Sequence, residues 1–349
     1  MSMRHISSLI AVAASLALPV LAAPVAIVGG NVWTGTSQGT IPSGIVVIDQ
    51  GQVVSVSKAG SPVPLEATVI DATGKWVSPG FISAFSRTGI VEVDAEDATD
   101  DTSASGSDYS VALDAADGFN PDSTAIAVTR VEGVTRIVVA PGASSNLFAG
   151  QGFVADTSGD VDTEISRKAF LLISLGDSGA ALAGGSRPAA WAQFRAALDD
   201  AGAYPARYFT IPVIVDAFSN LPASFEQLGA TAENAARMME AGVTVAISHL
   251  GDSSHQARLA IQVAGNAVAN GMSHDDAMKA LTTAPAQIFG LQGLGVIGPG
   301  ARADIVVWDG DPLVMIDGDV QSLKTRQTEL RDRYLKLDER TRPLAYVKP

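Results

Sequence analysis

The chain has 349 residues, room for one large domain or one large and one small, and its 47% hydrophobic against 17% charged residues exclude wholesale disorder. With 23 Lys and Arg against 37 Asp and Glu the net charge is −14, which excludes nucleic-acid backbone binding as the main activity. Cysteine is absent, so disulfides and thiolate chemistry are excluded as well.

Arg4 and His5 open a basic start, residues 6–21 form an apolar, alanine-rich run broken at Pro19, and Val20-Leu21-Ala22 offers a cleavage site. The run is shorter than the ~20 residues that span a bilayer. Residues 1–22 therefore read as a cleaved export signal, with a retained anchor as the alternative. The expected location is periplasmic or extracellular, with membrane contact only through an uncleaved signal.

Residues 25–71 alternate β-branched runs with turns, among them Gly44-Ile45-Val46-Val47-Ile48 and Val53-Val54-Ser55-Val56 around Asp49-Gln50-Gly51. That rhythm predicts a small β-sandwich. Trp76-Val77-Ser78-Pro79-Gly80-Phe81-Ile82-Ser83-Ala84-Phe85-Ser86-Arg87 follows, an apolar strand entered through a Pro-Gly turn. Residues 92–122 are rich in Gly, Ser and Asp and read as a solvated acidic loop, with no EF-hand spacing. Asp122 or Ser123 is placed to cap the next helix.

Buried strands are predicted at 134–139, 170–175, 213–216 and 243–247, and an amphipathic helix at 188–198, where Trp191, Phe194, Ala197 and Leu198 share a face for packing. A second helix is predicted over 225–241. Residues 142–150 are Gly- and Ser-rich but lack the lysine of a phosphate loop, and no Gly-x-Ser-x-Gly elbow exists. Ser248-His249-Leu250-Gly251-Asp252-Ser253-Ser254-His255 follows the strand 243–247, so its polar groups sit at a strand's carboxyl end. Ser273 with Asp276 approximates a capping box that makes His274 a first-turn surface residue. The tail 321–349 is charged and partly helical, and a surface helix accounts for it.

Three phrases carry a family resemblance: Pro79-Gly80-Phe81-Ile82, Leu281-Thr282-Thr283-Ala284-Pro285-Ala286, and Gly298-Pro299-Gly300-Ala301-Arg302-Ala303-Asp304-Ile305-Val306-Val307. Together they resemble the amidohydrolase superfamily of metal-dependent, imidazolonepropionase-like hydrolases over about residues 25–313. The resemblance implies an α/β fold: a (β/α)8-type barrel at 78–291 inside a composite β-sandwich of 23–77 plus 292–320, followed by the tail. Counting 77–85 as the first, the chain offers five barrel strands where eight are needed, so an incomplete barrel is expected.

It further implies hydrolysis of a carbon–nitrogen bond in a cyclic amide or N-blocked amino-acid-like substrate by a metal-bound hydroxide. The family's first strand ends in a His-x-His metal pair, and Phe85 and Arg87 stand at those positions. Neither side chain has a lone pair to give. Asp252 matches the catalytic aspartate of the last barrel strand. His249, Asp252 and His255 are then the ligands left for one zinc or similar divalent ion, the alternative being no metal and an ordinary capped helix start. An Arg87–Asp252 ion pair in place of the metal is the corresponding expectation. Three readings follow: a hydrolase with a degenerate metal site, an inactive exported protein that binds a small molecule, or an envelope-assembly partner. A homo-oligomer is compatible with each.

Overall fold

The computed structural model describes residues 23–107, 109–161, 163, 165–200, 212–218, 229–251, 254–310 and 312–335. The signal segment 1–22, Asp252 and the tail beyond 335 lie outside the described residues, as does the first part of the helix predicted over 225–241.

The strands are β1 (Val25–Trp33), β2 (Thr40–Asp49), β3 (Gln52–Ser57), β4 (Thr68–Asp71), β5 (Trp76–Pro79), β6 (Phe81–Ser86), β7 (Val134–Val139), β8 (Phe148–Asp156), β9 (Ile165–Ile173), β10 (Val213–Val215), β11 (Val245–Ile247), β12 (Ile305–Trp308), β13 (Leu313–Ile316) and β14 (Asp319–Val320). The helices are α1 (Thr124–Arg130), α2 (Gly176–Leu182), α3 (Arg187–Asp200), α4 (Asn234–Glu240), α5 (Ala260–Ala269), α6 (His274–Leu281), α7 (Thr283–Ile288) and α8 (Arg326–Leu335). Ser123 caps α1 through the Ala125 N–H, and Ser273 caps α6 through the Asp276 N–H at 3.0 Å. No helix among the described residues is long and apolar enough to cross a membrane.

Both chain ends build one eight-stranded sheet in the order β14-β13-β12-β5-β1-β2-β3, with β4 beside the first half of β1. β12 pairs antiparallel with β5, setting Val307 against Val77 and Trp308 against Trp76. Ile27, Val46, Val53, Val77, Ile305 and Met315, drawn from six strands, share one buried cluster. Gln50 and Gly51 both take positive φ, the left-handed turn that suits a twisted two-strand hairpin. Gly51 is needed for a second reason: a Cβ there would lie 2.7 Å from the Asp317 carbonyl oxygen.

Across Gly80 the chain leaves this sheet as β6, which lies parallel to β7. β8 and β9 then add antiparallel, giving the four-stranded order β6-β7-β8-β9. The strand predicted at 170–175 thus belongs to a hairpin and not to a βα repeat. Residues 140–147 between β7 and β8 are too few for the crossover of roughly a dozen residues that a parallel return needs. β10 and β11 form a separate parallel pair. Among the described residues the fold is α/β with mixed sheets, and no sheet closes into the expected barrel.

A buried ion network joins the two sheets. Arg136 on β7 donates from Nε to Asp304 Oδ2 at 2.8 Å and from Nη2 to Asp317 Oδ2 at 2.9 Å. Arg302 grips Asp317 with bonds of 2.7 and 2.6 Å, and the Asp317 N–H donates to Asp304 Oδ1 at 3.0 Å. Burial alone would lower the affinity of the Arg136 guanidinium for its proton, but Asp304 and Asp317 reverse that and raise it. Burial likewise pushes the Asp317 carboxyl up, and the Arg302 and Arg136 guanidiniums outweigh it, so this group sits below the usual carboxylate range.

Candidate small-molecule site at the strand ends

β6 and β7 run in one direction, and β9, two antiparallel steps from β7, shares it. Their carboxyl ends open on a cavity of about 780 Å³, lined by Phe85, Arg87, Asp94, Asp100, Leu172 and Leu175 among others. Carboxyl ends of co-directional strands are where ligands bind in folds of this kind, because the loops leaving them converge there.

Phe85 and Arg87 are two apart on β6 and its extension, so they reach the same cavity. Arg87 is buried, its Nη1 donates to the Ala140 carbonyl oxygen at the end of β7, and its Cζ stands 5.3 Å from the Phe85 ring centre. Such a cation–π contact holds the guanidinium over the ring. The position is thus filled by a packed, hydrogen-bonded pair.

The β6 and β11 ends meet through hydroxyls. Ser248, fully buried just after β11, lies 3.2 Å from the Ser83 hydroxyl, donates to the Phe85 carbonyl at 3.0 Å and receives its N–H at 3.3 Å. A side chain here does what a strand-to-strand backbone ladder would do. The residues after β11 are therefore brought beside Phe85.

His249 and His255 go to different carboxylates. His249 Nδ1 accepts the Gly251 N–H at 2.9 Å and lies 3.8 Å from Asp216 Oδ2, while Asp216 at the end of β10 receives the N–H groups of Phe218 and Leu250. His255 Nδ1 is 3.1 Å from Asp94 Oδ2, and Asp94 also takes the Ser254 N–H at 3.3 Å. Among the described residues no three His, Asp or Glu side chains gather in a way that would hold a metal ion. The β6 end does not fit the expected metal pair, since a phenyl ring and a guanidinium cannot ligate. Asp252, and with it the expected Arg87–Asp252 pair, lies outside the described residues.

Sequence reasoning placed Ser248 at this strand end but missed Asp94 and Asp216 as members of this region. Asp216 carried a usable signal, an acid directly after an apolar strand. Asp94 carried none, being one of many acids in a loop. Elsewhere that loop pairs at the surface: Asp114 and Asp117 both hold Arg167.

The sequence profile described as Amidohydrolase family matches residues 193–332. Among solved structures, an amidohydrolase from Thermotoga maritima MSB8 is similar at 22% identity and TM-score 0.71, over 85% of this chain and 99% of that one. An enamidase described as a member of the amidohydrolase superfamily gives 16%, TM-score 0.50, and 87% and 97% coverage. Molinate hydrolase gives 14%, TM-score 0.50, and 94% and 98%. At these identities the likeness is one of fold. No curated protein matches the chain.

Proposed function

We propose, on the premise that this chain belongs to the amidohydrolase superfamily, that it binds a small molecule bearing a carboxylate or amide carbonyl at the strand ends without the family's first-strand metal pair. One observation carries this reading: the guanidinium of Arg87 lines the cavity from a position where a metal ligand is expected. A guanidinium recognises a carboxylate or carbonyl oxygen and repels a divalent cation. Asp94 and Asp100 offer acceptors on the same cavity, and Val91, Leu172 and Leu175 add an apolar wall. An N-blocked amino acid or a cyclic amide has the matching groups: an acceptor end, an N–H donor and an aliphatic body. In this reading β6, β7, β10 and β11 are what this chain keeps of the superfamily's barrel, the composite β domain of 23–77 plus 292–320 frames it, and the protein works outside the cytoplasm.

A carbon–nitrogen hydrolase with a reduced zinc site at His249, Asp252 and His255 is the second reading. It is favoured by the family match, whose span 193–332 contains all three. Metal analysis combined with calorimetric titration of N-acetyl amino acids and hydantoins separates the two. The expected result is no stoichiometric zinc after dialysis against it, and binding of at least one compound that Arg87→Ala weakens about a hundredfold, the ~3 kcal/mol at the upper end for a hydrogen bond to a charged group. Stoichiometric zinc that disappears in Asp252→Ala, with turnover of the compound, would establish the hydrolase instead.

A further inference from the structure

Arg130, the last residue of α1, is 7% exposed, and among the described residues no carboxylate stands within ion-pair distance of it. A guanidinium taken out of water is costly unless a counter-charge comes with it. Arg136, buried to a similar degree, has Asp304 and Asp317; Arg130 has neutral oxygens instead. Its Nη1 donates to the Thr157 and Ser158 carbonyl oxygens at 2.6 and 2.5 Å, and its Nε, cut off from solvent, has no partner. Burial weakens the hold of this guanidinium on its proton, and the charges of Asp160 and Asp156 restore only part of it. Asp156 is committed elsewhere, taking the Ser158 N–H and hydroxyl at 2.8 and 2.6 Å.

A cavity of about 270 Å³ lies against Arg130. Ser158 and Gly159 line it; Nη1 holds the Ser158 carbonyl, and a Cβ on Gly159 would lie 3.4 Å from the same atom. The charged end of Arg130 therefore stands at the wall. Lys324 and Arg326, both exposed, also line the cavity, and α8 opens there with the positive end of its dipole. Asp122 and Glu329 are the acids of the lining, and among the described residues neither pairs with any of the three cations. Thr157 bonds the Val134 carbonyl at 2.8 Å, so this cavity lies at the amino end of β7, the other end from the strand-end cavity.

We infer that this cavity binds a phosphate group, free or as the head of a small phosphomonoester, with Arg130 at its base and Lys324 and Arg326 at its rim. A carboxylate carries a single charge and needs one cation. A phosphate carries about −1.5 to −2 and turns its oxygens in several directions, which suits three cations around one small space. The arginines supply directed forks and the lysine a movable charge. The bound anion would give Arg130 the counter-charge that its neighbours do not. This inference does not depend on the reading of the strand-end cavity.

Calorimetric titration of the full chain at low ionic strength, with sodium phosphate, glycerol 2-phosphate and, as control, sodium acetate, tests it. Phosphate or its ester is expected to bind one per chain, at millimolar affinity or tighter. Binding by either supports the inference, and the tighter of the two names the source. The variant Lys324→Gln with Arg326→Gln is expected to weaken binding about tenfold or more, the worth of a hydrogen bond to a charged group. Both side chains are exposed, and unchanged circular dichroism and Tm certify that variant's fold. Arg130→Gln is expected to abolish binding, and the rim variant keeps the test open should that buried change unfold the chain. No heat from either phosphate well above millimolar, an equal response to acetate, or binding indifferent to the rim variant overturns the inference.

Discussion

Asp304→Ala is expected to destabilise the protein by about 3–5 kcal/mol, the cost of removing one partner from a buried ion pair. The Asp304 and Arg136 side chains are 2% and 3% exposed. Without Asp304 the Arg136 guanidinium stays in the core with Asp317 as its close partner and Asp156 3.8 Å away, and the Asp317 N–H loses its acceptor. The joint replacement Arg136→Met with Asp304→Leu should cost far less, because no buried charge is then left alone. Urea unfolding of the two variants measures the difference; equal losses would show that the network's charges do not matter.

The same network predicts a loss of stability in acid. The Asp317 carboxyl is held below its unfolded value, so its contribution is fully present above about pH 4, the unfolded carboxylate range, and is lost as pH falls through the lower folded value. A Tm that declines below about pH 4 in wild type, and less in Asp317→Asn, is the expected titration.

How legible this was in the sequence differs from element to element. The run Ile305-Val306-Val307 was placed beside the N-terminal strands by its likeness to a family phrase, and it does lie on β5. What Asp304 does there was not readable, since Arg136 is 168 residues away and only the fold brings them together. The strand β8 was hidden by its own glycines. Gly150 and Gly152 look like loop residues, yet a Cβ on the first would come 2.8 Å from the Leu113 carbonyl oxygen and on the second 2.0 Å from the Phe170 ring. Gly152 is small because a neighbour approaches, while Gly150 also takes φ +126° at a register shift of the strand, a conformation side chains rarely adopt. Phe85 and Arg87 were the opposite case: likeness to the family's first-strand phrase located them, and the structure supplied Ala140 and the ring contact that explain how a cation stands there.

Gly80→Ala is expected to cost more than the usual 1–3 kcal/mol of an overpacked core, on the order of 3 kcal/mol or above. No unusual φ is involved. The obstacle is Thr135, fully buried on β7, whose Oγ1 and Cγ2 would sit 2.2 and 2.3 Å from the new Cβ and whose own Cβ would sit at 2.8 Å. Neither side can yield easily. The Gly80 N–H is bonded to the Asp304 carbonyl oxygen at 2.8 Å, and the next residue's N–H to the Gly133 carbonyl oxygen at 3.0 Å. Thr135 is locked between Arg136 and Val134, both paired in the network or the sheet. Trimming the obstacle should therefore help in part: Thr135→Ala removes Oγ1 and Cγ2 but leaves the 2.8 Å contact. In the double variant the two losses should fall short of their sum by about 1–2 kcal/mol, the coupling of residues in direct contact. A second readout follows from where β6 ends. A strand pushed off β7 at Gly80 carries Phe85 and Arg87 with it, so ligand affinity at the cavity should drop in Gly80→Ala and recover partly in the double variant. Strict additivity in stability would mean that the strands part without strain, and that the close packing at Gly80 is not what sets β6 against β7.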